Sequence, residues 1–266
     1  MNILFQDYGI RVGLKLWSVN TDLIAHAEGL YRCGYFQYIE LYSVPGTYDK
    51  VIDQWKKCPA PYVIHCAHSS HGFNLAKKDM RLKNQGILRE AQRFADALKA
   101  DAIILHGGNE GDIHEAIAQI KDFWDERMLI ENKPKFGTNG RVCIGWNVRE
   151  IQKIRESAEV SGMVLDFAHA VCAANAAGQA PDEFIDGFFS LKPSMFHLSD
   201  GDRHSLTDKH RNFGHGNFEV KKWILKIPAG SRLALETPMG SGPGLDYFKN
   251  DVAYLNDLSS RQVAHG

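Results

Sequence analysis

Short apolar runs alternate with longer amphipathic segments along nearly the whole chain. Eight runs have strand length: RVGLKLWS (11–18), YIELY (38–42), YVIHCAH (62–68), AIILHGG (102–108), RMLIENKP (127–134), GMVLDFAH (162–169), MFHLSD (195–200) and RLALETP (232–238). Their apolar character predicts strands buried on both faces. Helical stripes lie between them. In NQGILREAQRFADALKA, Ile87, Leu88, Ala91, Phe94, Ala95 and Leu98 share one face, and NVREIQKIRESAEV has the same periodicity. TDLIAHAEGLYRCG starts on Thr21 as a candidate cap and stops at Gly34. LDYFKNDVAYLNDL reads as the last helix and SSRQVAHG as a frayed tail. Eight strand–helix repeats predict a closed (β/α)8 TIM barrel, and no linker or low-complexity tract divides residues 1–266.

Composition narrows the setting. The length of 266 residues suits one such barrel, which typically needs roughly 250. A net charge of −1 gives no overall basic field for nucleic acid, although a local patch is still compatible with it. Five cysteines without a CxxC pair fit a reducing compartment. The N-terminal MNILFQDYGIRVGLKLW lacks the apolar stretch of a signal peptide, and no run reaches the ~18 apolar residues of a membrane helix. The expectation is a cytoplasmic protein, off the membrane, with no obligate protein partner.

Reactive side chains collect at one end of the runs. His68 ends the third, His106 the fourth and Glu131 the fifth. Asp166 and His169 end the sixth, His197 and Asp200 the seventh, and Glu236 the eighth. A single histidine at such a place is more often a hydrogen-bonded structural residue than a ligand. Six consecutive strands delivering His, Asp or Glu at the same end is different, because unpaired buried carboxylates are costly. A divalent cation would remove that cost, and mixed imidazole and carboxylate ligands suit Zn²⁺, Mn²⁺, Co²⁺ or Fe²⁺. Asp208 and His210 form a DxH pair whose side chains point the same way in extended backbone. The GHGNF that follows supplies glycines for a tight turn.

With these motifs assembled, the chain resembles the endonuclease IV branch of the xylose isomerase-like barrels. The similarity lies in HSSHGFNLA (68–76), LHGG (105–108), IEN (130–132), LDFAHA (165–170), HLSD (197–200), DKHRNFGHGNF (208–218) and LETP (235–238), which follow in the family's order over strands three to eight. The resemblance implies three zinc ions on nine ligands. His68, His106 and Glu131 would hold one ion. Glu131 would bridge to a second that also takes Asp166, His197 and Glu236. His169, Asp208 and His210 would hold the third. It implies hydrolysis of a phosphodiester, with abasic DNA as the family substrate, by ions that lower the pKa of a water toward ~7 and stabilise the leaving oxygen. Glu131, Glu236 and His169 are the candidate catalytic residues.

The departures lie on the substrate side. Where DNA-cleaving relatives carry a basic loop after strand two, this chain has YSVPGTYDK, whose one basic residue is Lys50. His71 stands where relatives usually have Tyr, and Lys15 where they often have His. His71, Lys15, Arg203 and Lys209 are the candidate substrate contacts, each weighed against a plain role in a loop or ion pair. His204 reads as solvated. His215 is open between solvent and support of a ligand. The glycine-rich TPMGSGPGLD (237–246) reads as a flexible connection more than a phosphate loop. Two other readings stay open: a sugar isomerase or epimerase with one ion on Glu131, Asp166, His197 and Glu236, and a non-catalytic binding barrel.

Overall fold

The structure, a computed structural model, describes residues 9–137, 140–240 and 244–260. Eight parallel strands pair in chain order and close into a barrel: β1 (Arg11–Trp17), β2 (Tyr38–Tyr42), β3 (Tyr62–His65), β4 (Ile103–His106), β5 (Met128–Glu131), β6 (Gly162–Asp166), β7 (Met195–Leu198) and β8 (Arg232–Leu235). Around it run α1 (Ile24–Arg32), α2 (Tyr48–Trp55), α3 (Arg81–Leu98), α4 (Ile113–Asp122), α5 (Val148–Ala158), α6 (Phe167–Ala177), α7 (Pro181–Phe189), α8 (Val220–Ile224) and α9 (Asp246–Ser260). This is the (β/α)8 architecture that the eight repeats predict. α6 and α7 both lie in the β6–β7 connection.

The core has two parts. The larger packs between sheet and helices and includes the stripe of α3. The smaller fills the barrel with Tyr38, Val63, Ala102, Ile104, Leu129, Val164, Met195 and Ala234. β1 contributes Gly13 here, because the Tyr38 ring occupies its side-chain space: a Cβ would stand 2.3 Å from the ring. Side chains of a strand alternate between faces, so two residues further on each strand faces inward again. The positions reached are Lys15, Glu40, His65, His106, Glu131, Asp166, His197 and Glu236. The apolar plug is therefore followed, toward the C-terminal strand ends, by a ring of eight ionisable side chains.

Three sequence expectations are corrected by where elements stop. β3 ends at His65, so His68 lies in the next loop, ahead of a 3-10 turn at Ser69–His71. β6 ends at Asp166, whose carboxylate accepts the His169 backbone N–H at 2.7 Å and caps α6, so His169 sits in a first helical turn rather than on a strand. Thr21 is not the cap of α1. It opens a 3-10 turn, Thr21–Leu23, without a side-chain cap. Gly34 does follow α1, in the left-handed conformation. The tail at 261–266 and residues 241–243 of the glycine-rich loop lie outside the described residues. Among the described residues no helix is long and apolar enough to cross a membrane.

Candidate metal centre

Glu131 occupies the middle of the ring and is 1% exposed. Its Oε2 lies 3.0 Å from His65 Nε2, 2.9 Å from His106 Nε2 and 3.6 Å from His197 Nδ1. Its Oε1 lies 3.0 Å from His169 Nδ1. Four groups bring ligand atoms close enough to share an ion: His65, His106 and Glu131; Glu131, Asp166 and His197; Glu40, His65, His197 and Glu236; and His169, Asp208 and His210. Of the nine ligands the resemblance implies, these groups bring together His106, Glu131, Asp166, His169, His197, Asp208, His210 and Glu236. His68 is in none of them. Its Nδ1 faces Ser70 Oγ at 2.7 Å, its ring stacks on His106, and burial pushes its pKa down to about 3.

Tautomers test whether cations fit. His65 Nδ1 is 2.8 Å from the Cys66 carbonyl and must donate to it, which turns the Nε2 lone pair toward Glu131. His197 Nε2 donates to Glu40 at 2.9 Å. Its Nδ1, buried and without a hydrogen-bond partner, lies 2.7 Å from Glu236 Oε1. His169 Nδ1 donates to the Asn132 carbonyl at 2.9 Å, leaving Nε2 facing Asp208 Oδ2 at 3.3 Å. In each case an imidazole lone pair meets a carboxylate, and two acceptors cannot bond without a cation or proton between them. The donor set fits divalent ions. Glu40, fully buried behind His197, fixes that ring as a supporting carboxylate fixes a metal-bound histidine.

Without ions, His197, His169 and His210 favour the protonated form, whereas burial holds His106 neutral. Burial disfavours charge on His197, but Glu40 and Glu236 outweigh it and hold its pKa well above the ordinary value. For His169 burial is outweighed by Asp166 and other carboxylates, giving about 10. For His210 Asp208 does the same, giving about 9. Burial raises Asp166.

The loop after β7 places the third group. Asp208 and His210 point the same way, with Asp208 Oδ2 2.6 Å from His210 Nε2. Asp200 organises that loop. Its carboxylate accepts backbone N–H groups from Gly201, Gly214, Gly216 and Phe218 at 2.8–3.2 Å, and its backbone pairs with Arg211. A Cβ on Gly216 would lie 2.3 Å from that carboxylate. The GHG glycines thus let the backbone close around Asp200. His204 and His215 are exposed on the same loop.

The four candidate substrate contacts are arranged differently from expectation. Lys15 lines the cavity but is ion-paired to Glu236 and, at 3.1 Å, to Glu40, which keep it charged despite burial. It is not free to bind an anion. Arg203 is held by Asp182 at 3.1 Å and Glu219 at 2.8 Å. Lys209 is exposed beside the third group. His71 Nδ1 accepts the Tyr42 hydroxyl at 2.8 Å, while that oxygen accepts the His68 N–H. Sequence reasoning missed Glu40, His65 and Lys133. Glu40 had a signal, a carboxylate in the middle of YIELY.

A cavity of about 390 Å³ opens over the ring, lined by Lys15, Trp17, Tyr42, His65, His106, Glu131, His169, Asp208, His210, Glu236 and neighbours. A second, of about 260 Å³, shares His68, His106, Lys133, His169 and Asp208 with it and runs beneath the β5–α5 connection.

A family model described as the xylose isomerase-like TIM barrel matches residues 30–258. The chain belongs to this xylose isomerase-like family. "Probable endonuclease 4" from Persephonella marina is 27% identical over 205 residues, covering 65% of this chain and 69% of that one. Among solved structures, endonuclease IV from Thermus thermophilus superposes with a TM-score of 0.68 at 17% identity, over 94% of this chain and 99% of that one. A 3-keto-D-glucoside 4-epimerase from E. coli gives 0.67 at 10% identity, over 93% and 99%. At such identities the structural likeness establishes the fold, and the structures so matched include both an endonuclease and an epimerase.

Proposed function

We propose that this barrel is a metal-dependent hydrolase that cleaves a phosphodiester, in the manner of endonuclease IV. The observation that carries the reading is the His169, Asp208 and His210 group. It is a complete ligand set beyond Glu131, Asp166, His197 and Glu236, which alone would serve a one-ion isomerase. Zinc suits the mixed ligands best, with Mn²⁺ or Fe²⁺ as alternatives, and three such ions would supply Lewis-acid charge to the phosphoryl group and lower the pKa of an attacking water. The first would sit on His106 and Glu131 with His65 or His68, the second on Glu131, Asp166, His197 and Glu236, and the third on His169, Asp208 and His210. Glu131 and Glu236 hold their positions through the surrounding imidazoles and Lys15. His169 is fixed by the Asn132 carbonyl and the α6 cap. These three remain the proposed catalytic residues. Tyr42, buried between His68 and His71, walls the cavity and positions both.

The runner-up is a divalent-metal-dependent sugar isomerase or epimerase. It is favoured by the β2–α2 connection, SVPGT (43–47), which holds no basic residue; Lys50 lies in the first turn of α2. A paired assay separates the two: nicking of an abasic duplex and hydrolysis of small phosphodiesters, against interconversion of keto-sugars. Ester hydrolysis abolished by chelation and by His210→Ala is the expected result. Sugar turnover without ester hydrolysis would overturn the hydrolase.

A further inference from the structure

Lys133 lies two residues beyond Glu131, on the wall shared by the two cavities. Among the described residues its Nζ has one hydrogen-bond partner, His169 Nε2 at 3.3 Å. Among the described residues no carboxylate lies within ion-pairing distance of it. Lys135 differs: its ammonium donates to the Ala176 carbonyl and lies over the Trp146 ring. The one acceptor Lys133 has is also contested. His169 Nε2 faces Asp208 Oδ2 at the same 3.3 Å, so Lys133 shares that nitrogen with another side chain of the third ligand group. A half-buried lysine so placed lacks a counter-charge, and the space around it is the two cavities.

The second cavity indicates what brings that charge. Its walls include Ser69, Ser70, Asn109, Phe136, Gly137 and Cys143. Described residues of the β5–α5 connection are tied there by the Phe136–Val142 and Asn109–Cys143 bridges. At about 260 Å³ it is below the roughly 300–1,000 Å³ of drug-sized sites and suits one ring-sized polar group. It opens beside the ligand atoms of His106, His169 and Asp208.

We propose that Lys133 clamps the anionic group of a small phosphate ester, whose ring-sized organic part lies in the cavity beneath the β5–α5 connection. This names a substrate class for the hydrolase and rests on that reading. Lys133 would act as a specificity residue: it holds charge at the cavity junction, and the polar wall selects the alcohol.

The test uses metal-loaded full chain, Lys133→Met and Lys133→Arg, with inorganic phosphate as the calorimetric probe and metal content measured alongside. Loss of one charge-assisted contact is expected to weaken phosphate binding of Lys133→Met about 10- to 100-fold. Lys133→Arg should restore most of it, with metal content unchanged in both. Unaltered phosphate binding, or loss of metal in Lys133→Met, overturns the proposal. A second arm compares bis(p-nitrophenyl) phosphate with an abasic duplex. Preference for the small ester, with KM raised in Lys133→Met, is expected. Preference for the duplex with KM indifferent to Lys133 sinks the proposal and leaves the hydrolase standing. If neither ester is cleaved but phosphate binding still depends on Lys133, the hydrolase reading fails and the anion clamp survives.

Discussion

Two arcs of the ring handle the same problem, carboxylates buried at the end of a barrel, in opposite ways. On the β1, β2 and β8 side, Glu40 and Glu236 face Lys15, whose ammonium contacts both. The arc carries its own cation. On the β3 to β6 side, and in the loop after β7, Glu131, Asp166 and Asp208 face imidazoles alone; among the described residues no lysine or arginine pairs with them. Burying charge without a counter-ion is costly. The first arc therefore brings part of its counter-charge with it, and Glu236 still shares an ion site with His197, while the second relies on protons or metal ions alone. One side chain, Lys15, makes that difference.

Breaking the second arc should have the largest effect. Glu131→Gln removes the carboxylate shared by two ligand groups while keeping its volume. Metal content and activity should fall together, activity by more than about 100-fold, given that supporting residues alone are worth roughly 10- to 100-fold in affinity. Elemental analysis with a hydrolysis assay checks this, and unaffected activity would place the chemistry elsewhere. Perturbing the first arc should do less. In Glu40→Gln, Lys15 loses one of its two anions and is drawn onto Glu236. One ion, at His197 and Glu236, should bind about 10- to 100-fold more weakly while the others stay. Loss of every ion would erase the distinction between the arcs.

The smallest effect is a proton count. His169 and His210, raised to about 10 and about 9, hold protons near neutral pH when no ion is bound. An ion entering that group must displace about two protons. Apparent affinity should therefore rise with pH until these groups deprotonate unaided. Loading in weakly buffered solution with a pH indicator reads the release. No release would show that the ion goes elsewhere.

Much of this was legible from the chain. The runs and stripes point to a barrel, and a barrel brings strand ends together, so His106, Glu131, Asp166, His197 and Glu236 could be grouped before any coordinates. Asp208 and His210 were paired by their spacing, and their place beside His169 came from the resemblance to endonuclease IV. In the sequence His68 of YVIHCAH reads as the residue at the strand end, and only the end of β3 at His65 shows that His65 is the one facing the interior. Lys15 read as a possible anion site for a similar reason. Its partners are Glu40 and Glu236, the second of them 221 residues away. Asp200 gave no sign of clamping a loop, since its four N–H donors are brought to it by the turns they stabilise.

By itself the sequence determined the barrel and the chemical character of its interior. Each strand's two-residue period carries an apolar plug position to an ionisable one, and that period is written locally in residue types. Only the tertiary structure decided where each strand stops, which histidine lone pairs face carboxylates, and that Lys15 is neutralised while Lys133 is not. Those depend on hydrogen bonds and charges between residues far apart in the chain, and their energies exist only once the barrel has closed.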